Sequence, residues 1–441
     1  MAMWWIKLWL KQKNAGWKLN LMNLRAITVL QAFFTLCLLQ ALTATIGVAA
    51  DWPQWMGPRH NGTTNENQWS IDRTRDAPET VWQASVGIGF ASMAISEGRL
   101  VTAGHEGGSD TVWCFAADSG KLIWQYTYPC PLWAHEHEGG PSATATIVKK
   151  YVYTLSKEGH LICFDVRDGS VIWQINIRQQ FNVLARPSEP QRDYGYAGSP
   201  LVVGQLLVVP VGGKNANTVA FDKDTGEIIW TSGNVDGNTG AGYATPVAFS
   251  WDNRDYLAVL AMKDLEILEL KTGRQVASYN WPTPYGNNIP TPCIAGNRIF
   301  ITADYGAGCA AIDFDGQRLE EVFYNKDIMC KMTNPLLLEG HIYAGTSSGV
   351  IKCMELATGE ICWQQRLLGN TSLLRAGERF LCLGENGELV EAVMTPEGFQ
   401  ELARTKTLDG KCWTMPVLCN GLLYVRDVVG NLICLNLRSA P

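Results

Sequence analysis

The most chemically suggestive run in the chain is His135-Glu136-His137-Glu138. Two histidines at i and i+2 of an extended segment point to the same side, and neutral imidazoles suit zinc, copper or iron. His135 and His137 are therefore a candidate metal pair. Such a site needs a third or fourth ligand, and only the fold could bring His105 or His160 to it. A solvated acidic loop is the simpler reading. The thirteen cysteines offer a second chemistry. Cys114, Cys163, Cys353 and Cys434 fall in equivalent strings (WCF, ICF, KCM, ICL), and Ala220 and Ala311 fill the same site in two others. A position that takes Cys or Ala is a small buried packing site, and copies in separate repeats lie too far apart to bridge. Cys130 and Cys330 fall in loops instead, which makes them the expected reactive thiols. The chain contains no Cys-Cys step and no Cys-x-x-Cys-His, so nothing marks a vicinal disulfide or a c-type haem.

These residues are set in a repeat. A Ser/Thr/Asn-Pro step opens an apolar strand at Ser199-Pro200, Thr245-Pro246, Thr291-Pro292 and Asn334-Pro335. Met415-Pro416 is a variant, and looser copies begin at Ser92, Thr144 and Ser372. Eight copies over residues 92 to 415 give a mean period of about 46 residues. A turn and a second strand follow each step, as at Tyr151-Val152-Tyr153 and Arg298-Ile299-Phe300. A hairpin with a fixed glycine-to-tryptophan spacing ends Gly120…Trp124, Gly169…Trp173, Gly226…Trp230 and Gly359…Trp363. Glycine supplies the positive φ of the tight turn, and the large flat ring is placed to dock on the next unit. Each unit thus supplies four short strands, and the expected architecture is an all-β, eight-bladed β-propeller of four-stranded antiparallel blades. The eighth copy ends at Leu432-Ile433-Cys434-Leu435 without a tryptophan hairpin. Thr80-Val81-Trp82-Gln83 at the other end matches the missing strand, so an N-terminal strand is expected to complete the last blade and close the ring. Trp82, Trp124, Trp173, Trp230 and Trp363 are the expected blade-docking residues.

Loops leading into the innermost strands of a propeller converge on one channel mouth. Residues from six such loops are the candidate ligand-binding set: His137, Tyr196, Tyr243, Asn288, Lys331 and Trp413. Tyr194 and Asn287 stand in two of the same loops, and Asn370 in a seventh. Turns inside the blades, such as Glu385-Asn386-Gly387-Glu388 and Glu158-Gly159-His160, carry no expected chemistry, and Glu385 is expected on the opposite face. The insert from Ile175 to Gly198 exceeds a normal turn, which suits a cover over the mouth or a partner contact.

Residues 1–50 read as a signal peptide. Arg25 precedes the apolar run Ala26–Ala50, and Val48 and Ala50 suit positions −3 and −1 of a cleavage site before Asp51. Met22-Asn23-Leu24-Arg25 forms a normal n-region by itself, which makes Met22 a second candidate start. The alternative is an uncleaved anchor, since the run is long enough to span a bilayer. Residues 51–79 then form an N-terminal extension and 80–441 the propeller, exported to the periplasm or beyond. The formal net charge of −6, with five cations and no acids in residues 1–50, leaves −11 on residues 51–441. An acidic body without a basic stripe makes nucleic acid a poor partner.

The Gly-x-x-x-Trp hairpins and the eight-fold count resemble the quinoprotein (PQQ-like) propeller repeats. Asp51-Trp52-Pro53-Gln54-Trp55-Met56-Gly57-Pro58, Tyr194-Gly195-Tyr196-Ala197-Gly198-Ser199-Pro200 and Gly410-Lys411-Cys412-Trp413 resemble a secreted bacterial PQQ-binding-like branch of that family. Met56 departs from the arginine usual there. In the quinone dehydrogenases of the family, the resemblance implies a PQQ cofactor near the axis. It lies under a vicinal disulfide and over a tryptophan, with a calcium ion held by acidic and amide side chains. The vicinal pair is absent here and no calcium set is identifiable, so no cofactor is assigned. The leading expectation is a non-catalytic, monomeric propeller that binds a protein, peptide or glycan at the mouth. The alternatives are a PQQ-dependent oxidoreductase and a metal-dependent enzyme using the His135–His137 loop.

Overall fold

The computed structural model describes residues 51–72, 74, 77–132, 134–183, 194–233 and 241–438. The signal-peptide reading of residues 1–50 and residues 184–193 of the insert between Ile175 and Gly198 lie outside them. Eight antiparallel sheets follow one another in sequence, each beginning with a short strand at the axis. Blades 1 to 4 open at Ala94–Ser96, Thr146–Val148, Leu201–Val203 and Val247–Trp251. Blades 5 to 8 open at Cys293–Ala295, Leu336–Leu338, Thr371–Ala376 and Val417–Cys419. The strand Glu79–Ser85 pairs antiparallel with Asn431–Asn436 and supplies the outer strand of blade 8. The ring is therefore closed by the N-terminal strand.

Two sets of contacts explain the repeat. Each docking indole donates Nε1 to a carbonyl of the next blade: Trp82 to Ala117, Trp124 to Val166, Trp173 to Lys223, Trp230 to Leu270 and Trp363 to Thr395, at 2.7–3.1 Å. At Trp82, Trp124, Trp173 and Trp230 the hairpin glycine of the next blade lies against the ring; a Cβ on Gly169 would come within 2.6 Å of Trp124. The residue opposite each indole must be small, and Cys114, Cys163, Ala220, Cys353 and Cys434 occupy that register. Nearer the axis, the side chain of the Ser/Thr/Asn-Pro step accepts a backbone N–H from the preceding blade. Thr144 accepts from Ser92, Ser199 from Thr144, Thr245 from Ser199 and Asn334 from Thr291, at 2.7–3.0 Å. These bonds satisfy amides buried where inner strands crowd together. At the closure, the buried Arg426 guanidinium of blade 8 donates to the carbonyls of Gly87, Ala91 and Ala103 of the blade 1 side.

The extension that precedes the closing strand does not lie on the outside. Trp52 exchanges two backbone hydrogen bonds with Ile95 of blade 1, and the Pro53 carbonyl accepts from Ile147 of blade 2. Trp55 Nε1 donates to Thr291 Oγ1 at the head of blade 5, 3.0 Å away. Thr63–Thr64 then adds a fifth, parallel strand to the inner edge of blade 7. The Glu66 carboxylate accepts from the amides of Asn420 and Gly421 in blade 8. Partners on five blades around one axis mean that residues 52–66 cross the central channel and fill it. Trp52 and Met56 are fully buried there, and Trp69, beyond the crossing, is buried against Arg379 and Arg438 of blades 7 and 8.

His60 belongs to this plug, and burial holds its imidazole down to about 4, against a hydrogen bond involving the Trp55 backbone. A folded-state value below the unfolded one means that the unfolded chain takes the proton first. Stability then rises with pH between about 4 and 6.5 and is lost on acidification through that window. Going from pH 7 to pH 4 should cost the wild type about 2 kcal/mol more than His60→Asn. Asparagine tolerates the left-handed backbone at this position, where φ is 53°. Urea melts at the two pH values measure the difference, and equal losses would contradict the burial argument.

Candidate functional site

The inner strand of each blade runs from the channel mouth to the far face, and the second strand returns. The mouth is therefore built from inter-blade loops and also from the turns between second and third strands. Together they enclose an open cup of about 1020 Å³. Its floor is Trp55 of the plug, and Phe90, Tyr194, Tyr243, Tyr305, His137 and Trp413 stand around it. The rings form a connected series. Phe90 stacks on Trp413 with centroids 5.9 Å apart, His137 meets Trp413 edge-on at 5.0 Å and stacks on Tyr194 at 5.5 Å, and Tyr194 meets Tyr243 at 6.2 Å.

Polar groups hold these rings in place. Trp413 Nε1 donates to Glu385 Oε2 at 3.0 Å, and Asn370 Nδ2 donates to the same oxygen at 2.8 Å. Lys411 lies over the Trp413 ring, 4.5 Å from its centroid, and donates to Glu138 Oε1 at 2.5 Å. Against the effect of burial, that bond and the charge of Lys411 hold the Glu138 carboxyl below the usual range. Burial, assisted by the positive charges of Lys331 and Lys411, lowers His137 from the ordinary histidine value. His137 is thus neutral at pH 7 and can stack or accept. Tyr305 on the opposite wall, at φ 59°, and Tyr285 beside it, at φ 65°, both stand in left-handed backbone, and their rings meet at 90°. Bulky residues in this region store strain that is typically found at binding sites.

Of the six mouth residues expected from sequence, His137, Tyr243 and Trp413 line the cup. Lys331 reaches the rim, with Nζ 5.4 Å from the Tyr305 ring centroid. Tyr196 and Asn288 do not line it. Tyr196 is buried and donates its hydroxyl to Val211 O, and Asn288 is buried and donates to Ala261 O and Met262 O. Their neighbours Tyr194 and Asn287 face the cup instead. Gly195, at φ 70°, breaks the alternation between Tyr194 and Tyr196. Asn287 is buried, and its Oδ1 has no hydrogen-bond partner among the described residues.

Two further expectations need correction. Glu385 is on the mouth face, because the second-to-third-strand turn returns there, and it positions Trp413. Lys157, from the corresponding turn of blade 2, also lines the cup. Cys130 and Cys330 are buried, and burial raises both thiols far above the ordinary value, so they are not the reactive cysteines. Among the described cysteines, Cys362 is the exposed one. Labelling of the reduced protein under native conditions should modify Cys362 first and the core cysteines only on unfolding. Peptide mapping after a short exposure to iodoacetamide checks this, and early modification of Cys130 would refute it.

His135 and His137 both contact the Tyr194 ring. His105 is instead paired with buried Asp110 at 2.8 Å, and His160 bonds Ser156 at 3.0 Å. Among the described residues no three His, Cys, Asp or Glu side chains cluster as a metal site. The described residues also do not fit the quinone centre that the resemblance implies. The axial space below the cup is filled by the plug, and Glu138 and Glu385 are engaged by Lys411 and Trp413.

Comparison with known proteins agrees with the fold. The chain is 23% identical over 352 residues to outer membrane protein assembly factor BamB of Escherichia coli (strain K12), covering 69% of this chain and 83% of that protein. The crystal structure of BamB from Moraxella catarrhalis superposes with a TM-score of 0.59 at 17% identity, over 82% of this chain and all of that one. The quinohemoprotein alcohol dehydrogenase of Comamonas testosteroni superposes with a TM-score of 0.62 at 12% identity, over 90% and 82% of the two chains. The family model described as outer membrane protein assembly factor BamB matches residues 130–365, more than half of the sequence. The chain belongs to this PQQ-like β-propeller family.

Proposed function

We propose that the protein is an exported, non-catalytic propeller that holds a segment of a partner in the aromatic cup. The observation that carries this reading is the connected series of rings around a floor closed by Trp55. Such a recess desolvates an inserted apolar group, while the amide and lysine side chains beside it orient a polar backbone. Peptide segments and the C–H faces of a glycan both suit these surfaces. A protein partner is favoured by Leu132, Tyr285 and Val429. These apolar side chains are 38%, 40% and 55% exposed, and the topology puts them on the same face around the cup. Membership of a family described by outer membrane protein assembly supports the same choice.

The test is an absorption spectrum and metal analysis of the protein purified from its native host. The reading expects no quinone absorbance and no stoichiometric metal. A bound quinone with calcium would replace it by the oxidoreductase reading, and stoichiometric zinc, copper or iron by the metal-dependent one.

A further inference from the structure

Blade 6 differs from its neighbours at one outward position. In five other blades the residue before the docking aromatic is apolar: Val81, Ile123, Ile172, Ile229 and Val322. Blade 6 places Cys362 there, exposed on the outer strand. The strand bulges at this point, where Cys353 pairs with Trp363, Met354 pairs with Ile361, and Cys362 is the extra residue between them. Two residues of a bulged strand oppose one on the partner strand, so Cys362 and Trp363 share Cys353 as their opposite. After burial, the Cys362 thiol is the next largest cause that holds the Cys353 thiol up. Directly opposed Cα atoms, here Cys353 and Trp363, lie about 4.5–5.5 Å apart, and the bulge sets Cys362 beside that pair, next to the strand position a disulfide of roughly 4.4–6.8 Å would bridge.

We propose that Cys353 and Cys362 form a disulfide, a modification site that staples the outer strand of blade 6 to the strand beside it. The oxidant is a protein or small-molecule disulfide, the class that oxidising compartments supply. The exposed Cys362 thiolate attacks one sulfur of that disulfide, forming a mixed disulfide and releasing one thiol. The Cys353 sulfur then attacks the Cys362 sulfur. The 353–362 bond forms, the mixed disulfide breaks, and the departing thiolate takes the Cys353 proton. Two electrons and two protons have passed to the oxidant, which leaves as two thiols. Burial raises the Cys353 thiol to about 12, which makes the second step the slower one. The staple also steadies Trp363, whose indole donates to Thr395 O of blade 7 at 2.7 Å.

Both cysteines fall in one tryptic peptide, Cys353–Arg366, which follows Lys352. The folded full-length chain is incubated with oxidised glutathione, alkylated under denaturing conditions and digested. The expected peptide is two hydrogen atoms lighter than the reduced form and carries neither glutathione nor an alkyl group. Cys353→Ala installs the residue that blades 3 and 5 already carry, as Ala220 and Ala311, and should leave a lasting glutathione adduct on Cys362. A wild-type peptide that keeps glutathione on Cys362, or that is alkylated at both cysteines, would overturn the proposal.

Discussion

A chain lacking residues 51–83 is expected to lose cooperative folding, or to melt more than about 10 °C below the full-length protein. Most of the outer strand of blade 8 is removed, together with Trp82, whose indole joins blade 8 to blade 1. The plug goes with it, including the fully buried Trp52, and so does the fully buried Trp69 that follows it. Burying each large aromatic contributes about 2–3 kcal/mol, and the total stability of a domain is only about 5–15 kcal/mol. The open ring would also expose the unpaired edge of Asn431–Asn436, a template for aggregation. Thermal melts followed by circular dichroism give the answer, and an unchanged midpoint would show that the ring closes without this strand.

Trp413→Ala should weaken partner binding by about 2 kcal/mol or more, roughly 30-fold in Kd, without unfolding the ring. The indole touches Phe90 and His137, so its loss breaks the series of rings in the middle. Glu385→Ala should weaken binding in the same direction, because Glu385 fixes the indole through a 3.0 Å hydrogen bond. Val322→Ala, on the outer strand of blade 5, is the control and should bind normally. Titration of each variant with the isolated partner tests the ranking. Full-strength binding by Trp413→Ala would remove the cup from the account.

The blades were legible in the sequence because their determinants recur. The indole of Trp124 and the glycine at 169 are both needed for one contact, and the chain repeats that contact around the ring. The hydroxyl of the Ser/Thr-Pro step is a second recurring requirement, since it satisfies an amide of the preceding blade. The cup is not repeated, and its legibility falls accordingly. Position before an inner strand was enough to find His137, Tyr243 and Trp413. It failed between Tyr194 and Tyr196 because one glycine in left-handed backbone decides which ring faces the cup. Glu385 and Lys157 were readable in principle from strand direction alone, which returns their turns to the mouth. Trp55 was not. Nothing in a repeat signals that a segment outside it will thread the axis and become the floor of the site. The loop cysteines misled for a related reason. Cys130 and Cys330 stand outside regular strands, but their backbones lead back into the packed blades.

The central claim, that the partner meets the mouth face and its cup, is tested most directly by site-specific photocrosslinking in the native host. A photoreactive residue is placed at Leu132 on the rim or at Val322 on the outer strand, in wild-type and Trp413→Ala backgrounds. The account predicts an adduct from position 132 that disappears with Trp413→Ala, and none from position 322. Adducts confined to position 322, undiminished by Trp413→Ala, would contradict it.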